Sequence, residues 1–119
     1  MWVRAWNESR DEPLLGRVRW CQSFFCRLRG LTFRRRLGAD EGILLVGTRE
    51  SRMDSAIHML FVFFPIAVIW LDRTGRVVDT ALARPFRLAY VPSGPARDVL
   101  EGPPDLLKRV NPGDRLRFA

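Results

Sequence analysis

The side chain best suited to chemistry in this sequence is His58, the one histidine among 119 residues. It lies between Ile57 and Met59, a setting that fits a satisfied core or pocket imidazole better than a catalytic base. Folding could bring Ser23, Cys21 or Cys26 against it, but no nucleophile-elbow signature accompanies any of them. A metal site would need partners such as Asp54 and Asp72, and no ligand spacing supports one. The carboxylates form no convincing acid–base pair. Asp40 and Glu41 are adjacent, so on a strand they point apart. Asp72 and Asp79 fall on one hairpin, where Asp72 most simply starts the turn, and Glu101 closes a short apolar helix where it can pair with an arginine. Neither a phosphate loop nor a dinucleotide-type glycine motif is present. The expectation is therefore no catalytic residue, no metal and no cofactor.

The strongest electrostatic feature is the cluster Arg27, Arg29, Arg34, Arg35 and Arg36, interleaved with Phe24, Phe25 and Phe33. Such a face could bind nucleic acid, arginines on phosphates and rings on bases. The plainer reading is a solvated cationic face whose aromatics belong to the core, because Phe24 and Leu28 share a helix face at i, i+4. Net charge is +7 and Lys108 is the one lysine, a skew that fits genome-wide codon composition. The charge still predicts nonspecific attraction to polyanions at low salt. Cys21 and Cys26, five apart, have no second pair to complete a zinc site and are expected as reduced, half-buried thiols.

These residues must be positioned by one small domain, since 119 residues suffice for one ordinary domain and its core without a staple. Met1–Trp6 lacks the charged start and apolar run of a signal peptide, which argues for the cytoplasm. Ala56–Leu71 is nearly unbroken in apolar character, yet it is short for a bilayer helix and contains both His58 and Pro65. No membrane span is expected. Beyond Pro65, Ile66–Leu71 has no polar face and reads as a strand covered on both sides, with Asp72–Gly75 a tight turn and Arg76–Leu82 its partner strand.

Further strands are expected at Trp2–Trp6, Arg17–Trp20, Ile43–Val46, Pro85–Val91 and Arg115–Phe118. Short helices are expected at Ser23–Arg29, capped by Ser23 and ended by Gly30, at Ala96–Glu101, and as a turn from Pro104 to Arg109. Asn111–Asp114 has the chemistry of a type II turn.

Several of these segments form an ordered set. They are Arg27–Leu31, Glu41–Leu45, Ile57–Phe61, Phe64–Ile66, Trp70–Val78, Ala96–Glu101 and Gly113-Asp114. In this order, and over almost the whole chain, the set resembles the domain-of-unknown-function 192 family of small bacterial and archaeal proteins. The resemblance implies a compact, mostly β fold with a few short helices, and it implies no reaction. The family's shared polar positions suggest a pocket and fall here on Arg29, His58, Asp72 and Glu101. The chain departs from the family at Thr32, usually methionine or another large residue, and at Phe63, often basic or polar. It departs most at Ala67, where relatives commonly carry an aspartate.

The fold expected is mainly β (α+β), an antiparallel-rich sandwich or small barrel with two or three short helices. The function expected is that of a noncatalytic ligand-binding or accessory domain, its ligand and oligomeric state not legible. One alternative is a small hydrolase-like enzyme with His58 and Arg29 in a pocket. Another is a weak nucleic-acid binder through Arg27 and the Arg34–Arg36 face.

Overall fold

A strand without a polar face needs cover on both sides, and Ile66–Leu71 receives it inside one seven-stranded sheet, one strand in from an edge. The computed structural model describes residues 1–32, 34–87 and 89–119, with the backbone alone at Phe24, Phe25 and Leu28. The described strands are β1 (Trp2–Asn7), β2 (Glu12–Cys21), β3 (Glu41–Leu45), β4 (Ile66–Leu71), β5 (Val77–Ala83), β6 (Asp98–Gly102) and β7 (Leu116–Phe118). One helix, α1 (Phe24–Arg29), and one 3-10 helix, Pro104–Lys108, accompany them. The spatial order is β5-β4-β6-β3-β2-β1-β7. All described neighbours are antiparallel except β2 and β3, which run parallel through the α1 crossover.

The sheet curls until its edges approach. Arg76 bridges Arg115, Val77 N–H donates to the Asp114 carbonyl at 2.8 Å, and Leu116 N–H donates to that of Gly75 at 2.8 Å. The mainly β class holds, realised as a half-barrel of one curled mixed sheet. Alternation along β4 divides the core. Ala67, Ile69 and Leu71 pack with Leu15, Leu44, Leu100, Leu106 and Leu116 on one face. Ile66, Val68 and Trp70 pack with Ile43, Ile57, Met59 and Val99 on the other. The turn after β4 also forms as expected: Asp72 accepts from both the N–H and hydroxyl of Thr74, and Gly75 takes the left-handed φ of 86°. No described helix is long and apolar enough to cross a membrane.

Three expectations are corrected. Ala96–Glu101 is not a helix: Asp98–Gly102 is the central strand β6, paired with β4 through Val68↔Glu101 and with β3 through Ile43↔Glu101. Periodicity cannot separate a short apolar helix from a buried strand, and here two largely buried neighbours each required a ladder partner. Pro85–Val91 is not a continuous strand. Phe86 adopts a left-handed φ of 65°, which breaks the extended run, and only Tyr90 bridges, to Ile57; Leu88 lies outside the described residues.

Third, Cys21 and Cys26 are joined in a disulfide, not reduced. Cys21 ends β2, and Ser23 caps α1 by accepting from Cys26 N–H at 3.2 Å, which turns the chain back and brings the two sulfurs together. The expected pairing of Phe24 with Leu28, and the place of Phe25 and Phe33, lie outside the described side chains. Because this loop is short, reduction should cost about 2 kcal/mol of stability. Thiol titration in denaturant should find no free thiol before reductant and two after, with a lower melting temperature once reduced.

Candidate functional site

The α1 crossover carries Arg27 and Arg29 over the sheet at the point where β3 and β6 lie side by side. Beneath it, Glu101 projects from β6 on the same face as Val99, because alternation sends Leu100 to the opposite core. The segment 54–62 forms the remaining wall. Trp70 anchors that segment: its indole N–H donates to the Ser55 carbonyl at 2.8 Å. Ile57 is fixed by reciprocal backbone bonds with Tyr90 at 3.0 and 2.8 Å.

These elements enclose two adjoining cavities that share Arg27, Leu45, Ala56 and Ile57. The inner one, about 140 Å³, is lined by Arg29, Gly30, Thr32, His58, Val62 and Glu101 besides. The outer cleft, about 330 Å³, adds Gly47, Thr48, Arg49, Asp54, Arg97 and others. The structure thus brings Arg29, His58 and Glu101 to the lining of one cavity.

Asp72 is elsewhere. It sits at the β4–β5 turn, where burial tends to raise its pKa but bonds from the Thr74 hydroxyl and N–H and from Arg76 N–H hold it below the usual carboxylate value.

Polar groups in the inner cavity lack partners. Arg27 Nε and His58 Nδ1 are buried with no hydrogen bond. Glu101 is 4% exposed, and burial alone pushes its pKa up to about 7. No described side chain or backbone group bonds to its carboxyl, and its Oε1 lies 3.4 Å from where a methyl on Gly30 would sit. Buried groups of this kind are ordinarily satisfied by protein or water. A cavity lined by them can receive a ligand that satisfies them instead, with guanidinium N–H donors facing an anion and the carboxyl meeting a second polar group.

The outer cleft is more self-contained. Arg97 forms a two-pronged pair with Asp98 at 3.0 Å for each bond, and Arg49 pairs with Asp54 at 2.7 Å. Gly47 N–H donates to Asp98 at 3.1 Å, and a side chain at Gly47 would overlap the Arg97 carbonyl. Arg49, Arg97 and Thr48 were not legible as site residues, because they come from separate loops that only the β3–β6 pairing brings together. Arg27 was legible only as part of the basic cluster.

That cluster does not form one face. Arg27 turns into the cavities and Arg34 pairs with Glu41 at 3.0 Å, whereas Arg35 and Arg36 are exposed. Among the described residues no group of His, Cys, Asp and Glu is arranged to hold a metal ion.

Ala67, where the resemblance implies an aspartate, belongs to the core on the face opposite Glu101, so the position lies outside the cavity lined by Arg29, His58 and Glu101.

The family DUF192 (Uncharacterized ACR, COG1430) matches residues 5–118. The UPF0127 protein of Thermococcus kodakarensis is 36% identical over 94% of this chain and 71% of its own length. That of Pyrococcus horikoshii is 35% identical over 94% of this chain and 96% of its own length. Their names assign no activity. A Sinorhizobium meliloti crystal structure whose provisional name is transcription regulator superposes with TM-score 0.84 at 25% identity, covering 98% of this chain and 92% of that one.

Proposed function

We propose that this chain, which belongs to the DUF192 family, is a noncatalytic binding domain that takes a small anionic ligand into the cavity between α1, β6 and the segment 54–62. The observation that carries the reading is that Arg27 and His58, each with a buried, unpartnered side-chain nitrogen, line the same cavity as buried Glu101. The anion would sit against Arg27 and Arg29, whose charges meet no carboxylate partner among the described residues. His58 and Glu101 would supply the hydrogen bonds that select its shape. No described nucleophile is hydrogen-bonded to His58, which favours binding over the hydrolase alternative.

The net charge of +7 would steer anions toward the domain and would also attract polyanions nonspecifically at low salt. The Cys21–Cys26 disulfide favours an oxidising compartment over the cytoplasm expected from the N-terminal residues.

Thermal shift with inorganic phosphate, sulfate and citrate at physiological salt tests the proposal. At least one probe should stabilise the protein saturably, and Arg29→Met and His58→Gln should each weaken that response by about tenfold, the loss of one charge-assisted hydrogen bond. An identical response in both variants, or turnover in a hydrolase screen that disappears in His58→Ala, would sink the binding-only reading.

A further inference from the structure

Beside the cavity wall, two loops are tied into one unit. Met59 N–H donates to the Arg87 carbonyl at 2.9 Å, and Phe86 N–H donates to the Met59 carbonyl at 2.8 Å. From this unit Leu60, Phe61, Phe63 and Phe86 face solvent, at 40, 51, 49 and 53% exposure. The rings of Phe63 and Phe86 lie against each other with centroids 5.7 Å apart. Phe61 and Phe86 also hold left-handed backbone, φ 57° and 65°. That conformation is uncommon for bulky residues and costs free energy, so it persists only where the surrounding fold imposes it. Here it is spent at two loop tips that present phenyl rings to water, a combination that core packing does not require.

The charges around the tips point to one occupant. No aspartate or glutamate occurs from residue 55 to 71 or from 80 to 97. Arg84 and Arg87 are exposed beside Phe86, and the Arg87 guanidinium stacks 5.5 Å from the Tyr90 ring. An exposed apolar patch with Arg84 and Arg87 beside it, on segments without a carboxylate, complements an anionic lipid surface. The rings can enter the boundary of the acyl chains while the guanidiniums meet headgroup phosphates.

We propose that the domain docks peripherally on anionic bilayers through Leu60, Phe61, Phe63 and Phe86, with Arg84 and Arg87 at the headgroups. No part of the chain crosses the membrane in this arrangement.

Vesicle sedimentation at physiological salt provides the test, comparing phosphatidylcholine with phosphatidylcholine containing phosphatidylglycerol. The full chain should sediment with the anionic vesicles and not with the neutral ones. The double variant Phe63→Ser/Phe86→Ser should keep its melting temperature and bind at least about tenfold more weakly. Phe63→Trp should gain emission that shifts to the blue on anionic vesicles and is quenched by brominated acyl chains. The proposal is overturned if Phe63→Trp emission neither shifts nor is quenched, or if the double serine variant sediments like the parent, which would make binding a matter of net charge. It is also overturned if the parent self-associates without binding vesicles and the double variant does not self-associate, which would assign the tips to a second copy.

Discussion

Trp70→Ala should be the most damaging single change in this chain, lowering unfolding free energy by about 3–5 kcal/mol. The side chain is fully buried among Ile57, Met59, Ile66 and Val99, so truncation leaves a cavity that strands β4 and β6 cannot close by moving together. The domain's total stability is expected on the order of 5–15 kcal/mol, so the loss takes a large share of it. A second effect is separable. The indole N–H holds the Ser55 carbonyl at 2.8 Å, and Ser55 lines the outer cleft. Trp70→Phe keeps most of the volume and removes only that bond, leaving a buried carbonyl without its donor at a cost of about 1–3 kcal/mol. Urea unfolding should therefore rank the proteins parent, Phe, Ala in falling midpoint with little change in slope. If Trp70→Ala unfolds within about 1 kcal/mol of the parent, the site does not have the packing seen here.

The same tryptophan shows what could be read from the chain before its fold was known. An apolar run ending in Trp70-Leu71 and followed by Asp72–Gly75 states both a doubly covered strand and its turn, because those are local properties of side-chain polarity and backbone freedom. The helix cap at Ser23 and the stop at Gly30 were legible for the same reason.

What local rules could not supply was pairing. Asp98–Gly102 reads equally as a helix end or a strand, and only the need of β3 and β4 for a common neighbour decides it. The disulfide is likewise invisible in a spacing of five, since its formation depends on the chain reversing at Ser23. The site followed this division. His58 stands out in the sequence itself and its grouping with Arg29 and Glu101 comes from resemblance to a family, whereas Arg27, Arg49 and Arg97 emerge as lining only once β6 lies beside β3. The resemblance also implied Asp72, whose three bonds within its own turn account for it without a ligand.

Stability should fall as pH rises from about 4.5 to beyond 7, and Glu101 should carry most of that fall. Its carboxyl is buried without a bonding partner, and burial raises its pKa from 4.5 to about 7. Below the lower value both folded and unfolded chains hold the proton, and the group makes no difference. Between the two values the folded chain holds a proton that the unfolded chain has released, so each rise in pH favours unfolding. Above the upper value the full cost is present, roughly 3 kcal/mol for a displacement of this size.

The pH dependence of Glu101→Gln should be nearly flat over this window, and the variant should be more stable than the parent at pH 8. His58 shares the cavity, so His58→Gln is the necessary companion. That variant should retain the slope. If instead His58→Gln flattens it and Glu101→Gln does not, the proton belongs to the imidazole.

Ligand binding carries the same sign. A protonated Glu101 can donate a hydrogen bond to an anion held by Arg27 and Arg29, and an ionised one repels it. Stabilisation by inorganic sulfate, whose own charge is constant in this range, should weaken as pH passes through about 7 in the parent and remain level in Glu101→Gln. The two slopes together would place the anion and the titrating carboxyl in the same cavity.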